Sequence, residues 1–151
     1  MKISEILEGQ TLKPVLTQQH QTIVEASQLM ALHKIGVLVV VDIERNIVGI
    51  ISERDIAYAI GDRGDAILGS TVADLMTSKI ITIRPDETVE DAIYVFKAGL
   101  FRHLVVADNG KPVGVISIRD IVKNLAPLLL EAKGRLDDQK LANFLSALNA
   151  A

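Results

Sequence analysis

Gly49-Ile50-Ile51-Ser52-Glu53-Arg54-Asp55 decides the reading of this chain, because it returns as Gly114-Val115-Ile116-Ser117-Ile118-Arg119-Asp120. Each copy reads as the end of an apolar strand, a serine, and a helix that opens on Arg-Asp. The spacing of 65 residues is long enough for a whole supersecondary unit. Two such units in 151 residues imply two small, intimately packed copies of one structure.

Working outward, short β-branched runs precede each copy, Val37–Val41 and Leu104–Ala107, each ending at an aspartate, Asp42 or Asp108. They read as buried strands. Asn109-Gly110 is a strong hairpin signal. The matching turn around Glu44-Arg45-Asn46 is one residue longer, which accounts for a change of offset from 66 to 65 residues. Further upstream, Thr22–Glu25 and Thr88–Asp91 carry the threonine and acid of a capping box. Helical spacing follows in Ile23, Ala26, Leu29, Met30 and in Val89, Ala92, Ile93, Phe96. Val15-Leu16-Thr17 and Ile81-Thr82-Ile83 read as short β segments. Residues 3–7 and Val72–Met76 read as leading helical turns. Each unit is therefore a helical turn followed by β-α-β-β-α, an α+β unit of about 60 residues, too small to bury its own sheet and helices alone. The expected architecture is two repeats packed face to face about a pseudo-two-fold axis. The repeats take residues 1–68 and 69–126. Gly61–Gly69 forms a charged, glycine-rich linker, and a separate helical tail covers 127–151. Pro127 is expected to interrupt the second repeat's last helix or to start a new one. Leu141, Phe144, Leu145 and Leu148 give the tail an apolar stripe.

Composition excludes several classes. With no cysteine, disulfides, thiolate metal sites and cysteine nucleophiles are out. Sixteen basic against nineteen acidic residues leave a formal charge of −3, which argues against nucleic acid as the main partner. The longest apolar run, Val37–Val41, is far below the ~20 residues that span a bilayer, and the N-terminus lacks a secretory apolar stretch. A cytoplasmic protein with no membrane segment is expected. The three histidines share no metal-ligand spacing, so no metal is expected. Neither a Ser-His-Asp set nor a Walker loop stands out, and the expectation is a protein that is not an enzyme.

Two units ending in Gly-x-x-Ser-x-x-Asp, each with a capped helix and a buried strand leading into a hairpin, resemble a tandem pair of CBS domains over roughly residues 1–126. The likeness is to small stand-alone bacterial CBS-pair proteins. The resemblance implies clefts between the repeats that bind adenosine-containing ligands such as AMP, ADP, ATP, S-adenosylmethionine or NAD. It also implies assembly as a homodimer and signalling to a regulated protein. The alternative is a structural scaffold with vestigial clefts and a tail that docks a partner.

Carried over residue by residue, Asp55 and Asp120 would each hold a ribose diol. An ionised carboxylate is acceptor-only and suits two vicinal hydroxyls. The competing reading is a capping box with Ser52 or Ser117, which prefers the longer Glu or Gln. The choice of Asp in both copies therefore points to the ligand. Ser52 and Ser117 are N-caps that can also face phosphate, and Arg54 and Arg119 can neutralise it. Arg102 and His103 occupy the position where the family places a basic pair on a nucleotide phosphate, with the ribose on the other repeat's aspartate, here Asp55. Gly36 and Val37 stand in the first repeat at that place, so the two clefts should differ in phosphate preference. Thr17, Thr82, Ile80 and Ile81 lie in the segments that line the family's adenine and ribose pocket.

Overall fold

The structure is a computed structural model and describes residues 1–10, 13–99, 101–133, 140, 142, 143 and 145–147. The elements run α1 (Ile3–Glu8), β1 (Leu16–Gln18), α2 (Ile23–His33), β2 (Val37–Val41), β3 (Ile47–Ser52) and α3 (Glu53–Arg63), followed by α4 (Val72–Leu75), β4 (Thr82–Ile83), α5 (Val89–Gly99), β5 (His103–Asp108), β6 (Lys111–Ser117) and α6 (Ile118–Lys133). Each repeat builds one three-stranded sheet, β1-β2-β3 or β4-β5-β6. In each, the first strand pairs parallel with the second and the second antiparallel with the third. The doubled α+β architecture expected from the sequence is present.

The central strand β2 is buried along its whole length. A strand covered on both faces reads as a continuous apolar run. Leu38 and Val40 turn toward α2 and α3 with Ile23, Ala26, Met30 and Ile56. Val39 and Val41 turn the other way and meet Val105 of β5, forming the core between the two sheets. The hairpins meet at one end of this layer. Ile47 N–H donates to the Gly110 carbonyl at 3.2 Å, and Lys111 Nζ donates to the Glu44 carbonyl and to Asn46 Oδ1, the latter at 2.8 Å. Asn109 and Gly110 take φ of 49° and 76° in the two-residue turn between Asp108 and Lys111, as a type I′ hairpin requires.

Helix starts follow the capping logic. Thr22 N–H donates to Glu25 Oε2 at 2.7 Å, and Thr88 N–H donates to Asp91 Oδ2 at 2.9 Å. A further box, Thr71 with Asp74, starts α4 and was not anticipated.

The leading turns are exchanged. Ile3 and Ile6 of α1 are buried with Ile83, Val89, Leu104 and Ile116 of the second repeat. Val72 of α4 is buried with Ile23, Leu38 and Ile51 of the first. Backbone bonds fix the exchange: Ile3 N–H to Glu87 O at 2.9 Å, Val72 N–H to Gln21 O at 2.8 Å, and the reciprocal pair between Ile50 and Thr77 at 3.0 and 2.9 Å. This explains the glycine that opens each signature motif. A Cβ on Gly49 would lie 2.9 Å from the Thr77 carbonyl oxygen, and one on Gly114 would lie 2.4 Å from Leu7 Cδ2. Each motif glycine is the seat on which the other repeat's leading segment rests.

Three expectations need correction. The 61–69 segment, expected as a charged, glycine-rich linker, is largely helical: α3 extends to Arg63, a 3-10 turn covers Gly64–Gly69, and Ile67 is 1% exposed in the first repeat's core. Ile93 is an exposed residue of α5 rather than part of its buried face. Pro127 does not interrupt α6, which runs unbroken from Ile118 to Lys133. Pro127 and Lys123 both lie on the exposed side, so water can serve the Lys123 carbonyl that loses its helical donor. Within the tail, Leu128 and Leu129 are about half exposed and Leu145 is partly buried. Leu141, Phe144 and Leu148 lie outside the described residues.

Candidate functional site

Two clefts related by the internal repeat open between the sheets. In the first, the β3–α3 junction contributes Ser52, Arg54 and Asp55, and the segment entering β4 contributes Thr77, Lys79, Ile80 and Ile81. Phe101, Arg102 and His103 at the start of β5 close it, with Gly36, Val37, Ile50 and Val105 at the back. Its volume is 260 Å³. The second cleft, of 380 Å³, has Ser117, Arg119, Asp120 and Lys123 from the β6–α6 junction, Gly9, Gln10, Lys13, Pro14 and Val15 ahead of β1, and Lys34–Val37 entering β2. His103, Gly36 and Val37 line both.

The structure thus brings Asp55, Arg102 and His103 into one cleft, with Ile80 and Ile81 on its wall. Thr17 and Thr82 are not brought there. Thr17 is 2% exposed and donates to Gln21 Oε1 at 2.7 Å, beside a different concavity. Thr82 is exposed on β4 and is absent from the lining of either cleft. Thr17 matches Ile83, not Thr82, at the 66-residue offset, and strand alternation sends neighbouring residues to opposite faces. Sequence reading missed Lys79 and Phe101 in the first cleft and Lys13, Lys34 and Lys123 in the second. Only Lys13 and Lys79 carried a signal, since they are 66 residues apart.

Asp55 Oδ2 accepts the Ser52 backbone N–H at 2.7 Å and its hydroxyl at 2.6 Å. Asp120 treats Ser117 identically, at 2.7 and 2.6 Å. The preference of capping boxes for Glu or Gln therefore does not separate the two readings, because both aspartates complete the box. A carboxylate has about four lone-pair sites, and capping occupies the two on Oδ2. Oδ1 takes no hydrogen bond among the described residues, so capping and a second acceptor role can coexist on one side chain.

Charges differ between the clefts. Arg102 faces Glu53 at 3.7 Å, with both side chains more than half exposed. Such a pair contributes at most about 1 kcal/mol and leaves the guanidinium available. The His103 imidazole is held below its ordinary value, first by burial and then by the Arg102 guanidinium, with Arg119 adding to the effect and Glu53 and Asp120 opposing it. Among the described residues no group of His, Asp and Glu could hold a metal ion, and no helix is long and apolar enough to cross a membrane.

The model of the CBS domain family matches residues 3–62 and again residues 72–127. The chain belongs to the CBS domain family. The two matches make it a tandem CBS pair. A 17.7 kDa protein of Acidianus ambivalens is 38% identical over 125 residues, covering 82% of this chain and 73% of that protein. Some relatives are longer: this chain spans 53% of one from Methanopyrus kandleri. Among solved structures, a CBS-domain containing protein from Agrobacterium tumefaciens superposes with a TM-score of 0.78 at 31% identity, over 82% of this chain and 98% of that one. A CBS domain protein from Pyrobaculum aerophilum, complexed with AMP, gives a TM-score of 0.72 at 30% identity over 84% and 99%.

Proposed function

We propose that this protein is a non-catalytic regulatory module that binds adenosine-containing nucleotides in the clefts between its CBS repeats and transmits their occupancy to a partner protein. One observation carries the reading: Asp55 of one repeat and Arg102 and His103 of the other share one cleft whose wall is apolar. The arrangement suits a nucleotide. Asp55 Oδ1 has acceptor capacity for the two ribose hydroxyls, Arg102 offers a forked donor to phosphate, and Ile50, Ile80 and Ile81 offer a face to the base. The AMP complex of the Pyrobaculum aerophilum relative supports the ligand class.

Because the cleft is built from both repeats, a ligand that spans it favours one relative placement of the two sheets. Differential affinity for two placements is what a regulatory signal requires.

Calorimetric titration with AMP, ATP and NAD, with mass spectrometry of small molecules that co-purify, tests the proposal. Saturable binding that Asp55→Asn weakens is expected. No binding of any adenosine compound at millimolar concentration would refute it and leave the scaffold reading.

A further inference from the structure

We propose that the second cleft is a polyphosphate site, which takes a ligand bearing a chain of three or more phosphates, while the first cleft takes a ligand with a single phosphate or none. The inference deepens the nucleotide reading and rests on it for the adenosine part of the ligand, but not for the phosphate chain.

Four cations line the second cleft, Lys13, Lys34, Arg119 and Lys123, against one carboxylate, Asp120. No ion pair holds any of the four among the described residues. The first cleft has three cations, Arg54, Lys79 and Arg102, against Asp55, and Arg102 already faces Glu53. A phosphomonoester carries about −2 at neutral pH, which suits the smaller surplus. Every added phosphoryl group increases that charge and needs further cations. The second cleft is also the larger, 380 against 260 Å³.

The internal repeat shows where the extra charge comes from. Arg54 matches Arg119 and Lys13 matches Lys79, so these cancel in the comparison. Lys123 has Tyr58 as its counterpart, and Lys34 has Leu100. Arg102 is the only cation peculiar to the first cleft. Four cations around a single lining carboxylate, Asp120, repel one another, and a polyanion would remove that repulsion.

Lys34 adds a backbone observation. It caps the C-terminus of α2 in the left-handed conformation, φ 54° and ψ 45°, where glycine is the usual residue and a side chain is strained. A lysine is held there despite the local preference. That makes Lys34→Gly an informative substitution, because it removes the charge while easing the backbone.

The test is calorimetric titration of the full chain with ATP, inorganic tripolyphosphate and AMP, for the natural protein, for Lys34→Gly combined with Lys123→Gln, and for Arg102→Gln. The double variant is expected to lose tenfold or more in affinity for ATP and tripolyphosphate, to keep AMP within twofold, and to melt no lower than the natural protein. Arg102→Gln is expected to weaken AMP and spare tripolyphosphate. Unchanged ATP affinity in the double variant, equal losses for ATP and AMP, or failure of the natural protein to bind tripolyphosphate at millimolar concentration would each overturn the proposal. Tripolyphosphate binding without any binding of AMP would overturn the division of ligands between the two clefts and refute the adenosine reading of the first.

Discussion

Ser52 gives both its backbone N–H and its hydroxyl to a single oxygen of Asp55, at 2.7 and 2.6 Å, and so turns the other carboxylate oxygen loose for a ligand. Asp55→Ala should therefore do two separable things. Loss of the cap should lower stability by about 0.5–2 kcal/mol, read as a lower denaturation midpoint. Loss of the ribose acceptor should weaken AMP at least tenfold. Ser52→Ala removes much of the cap but leaves the carboxylate, so it should lower the midpoint and leave AMP within a few-fold. If both variants lose stability and neither loses affinity, Asp55 is a capping residue alone.

His103 makes the clefts sensitive to pH. Its folded-state value lies below the ordinary 6.5 because of burial and Arg102. The unfolded chain then takes up a proton that the folded protein refuses. Stability from this group is complete above the ordinary value and declines as pH falls toward the depressed folded value. The charged neighbours, Arg102, Arg119, Glu53 and Asp120, pull in both directions. His103→Gln should flatten the decline in melting temperature as pH falls below the ordinary histidine value. A phosphate seated beside the imidazole would favour its charged form, so AMP binding should take up protons on the acid side of the ordinary histidine value. Equal binding enthalpies in buffers of different ionisation heat would show that it does not.

The two motif glycines should differ in tolerance. Gly49→Ala sets a methyl group 2.9 Å from a backbone carbonyl, that of Thr77, which is tied into a bridge with Ile50. Gly114→Ala meets the end of the Leu7 side chain, which can rotate away. Overpacking against a fixed neighbour costs about 1–3 kcal/mol, so Gly49→Ala should fall in that range and Gly114→Ala below it. Chemical denaturation of the two variants side by side decides the order.

Apolar side chains on the outer helices lead us to expect a homodimer. Tyr58 and Ile60 of α3 are 71% and 51% exposed, and Leu128 and Leu129 of α6 are 48% and 55% exposed. Apolar groups clustered on a surface mark interfaces. Sedimentation at micromolar concentration should show two chains, and Leu128→Glu with Leu129→Glu should shift the equilibrium toward one. A natural protein that sediments as a single chain would end the expectation.

What was legible in the sequence was local. The run Val37–Val41, the turn Asn109-Gly110 and the box Thr22–Glu25 each carry their structure within a few residues, and the repeat doubled the run and the box. The illegible parts were relations across space. Ile3 and Ile6 have the same spacing whichever sheet they cover, so their exchange into the second repeat left no trace in the pattern. Lys34 and Lys123 lie on different helices and converge only once the sheets face each other. Thr17 was misplaced because a three-residue strand does not announce which of its faces is which. Pro127 misled because proline costs a helix one hydrogen bond and a steric clash without having to break it, and α6 runs past it to Lys133.

The exchanged turns also set a timetable. During synthesis the first repeat can close its core soon after Leu75 has emerged, because Val72 and Leu75 of α4 complete it. Ile3 and Ile6 must wait, since the surface that buries them includes Leu104, Ile116 and Ile121. Domains generally fold from the N-terminus as they leave the ribosome. Ile3 and Ile6 leave the ribosome well before Leu104, Ile116 and Ile121, so they are expected to find their place, and to be hidden from neighbouring molecules, only once the second repeat is complete.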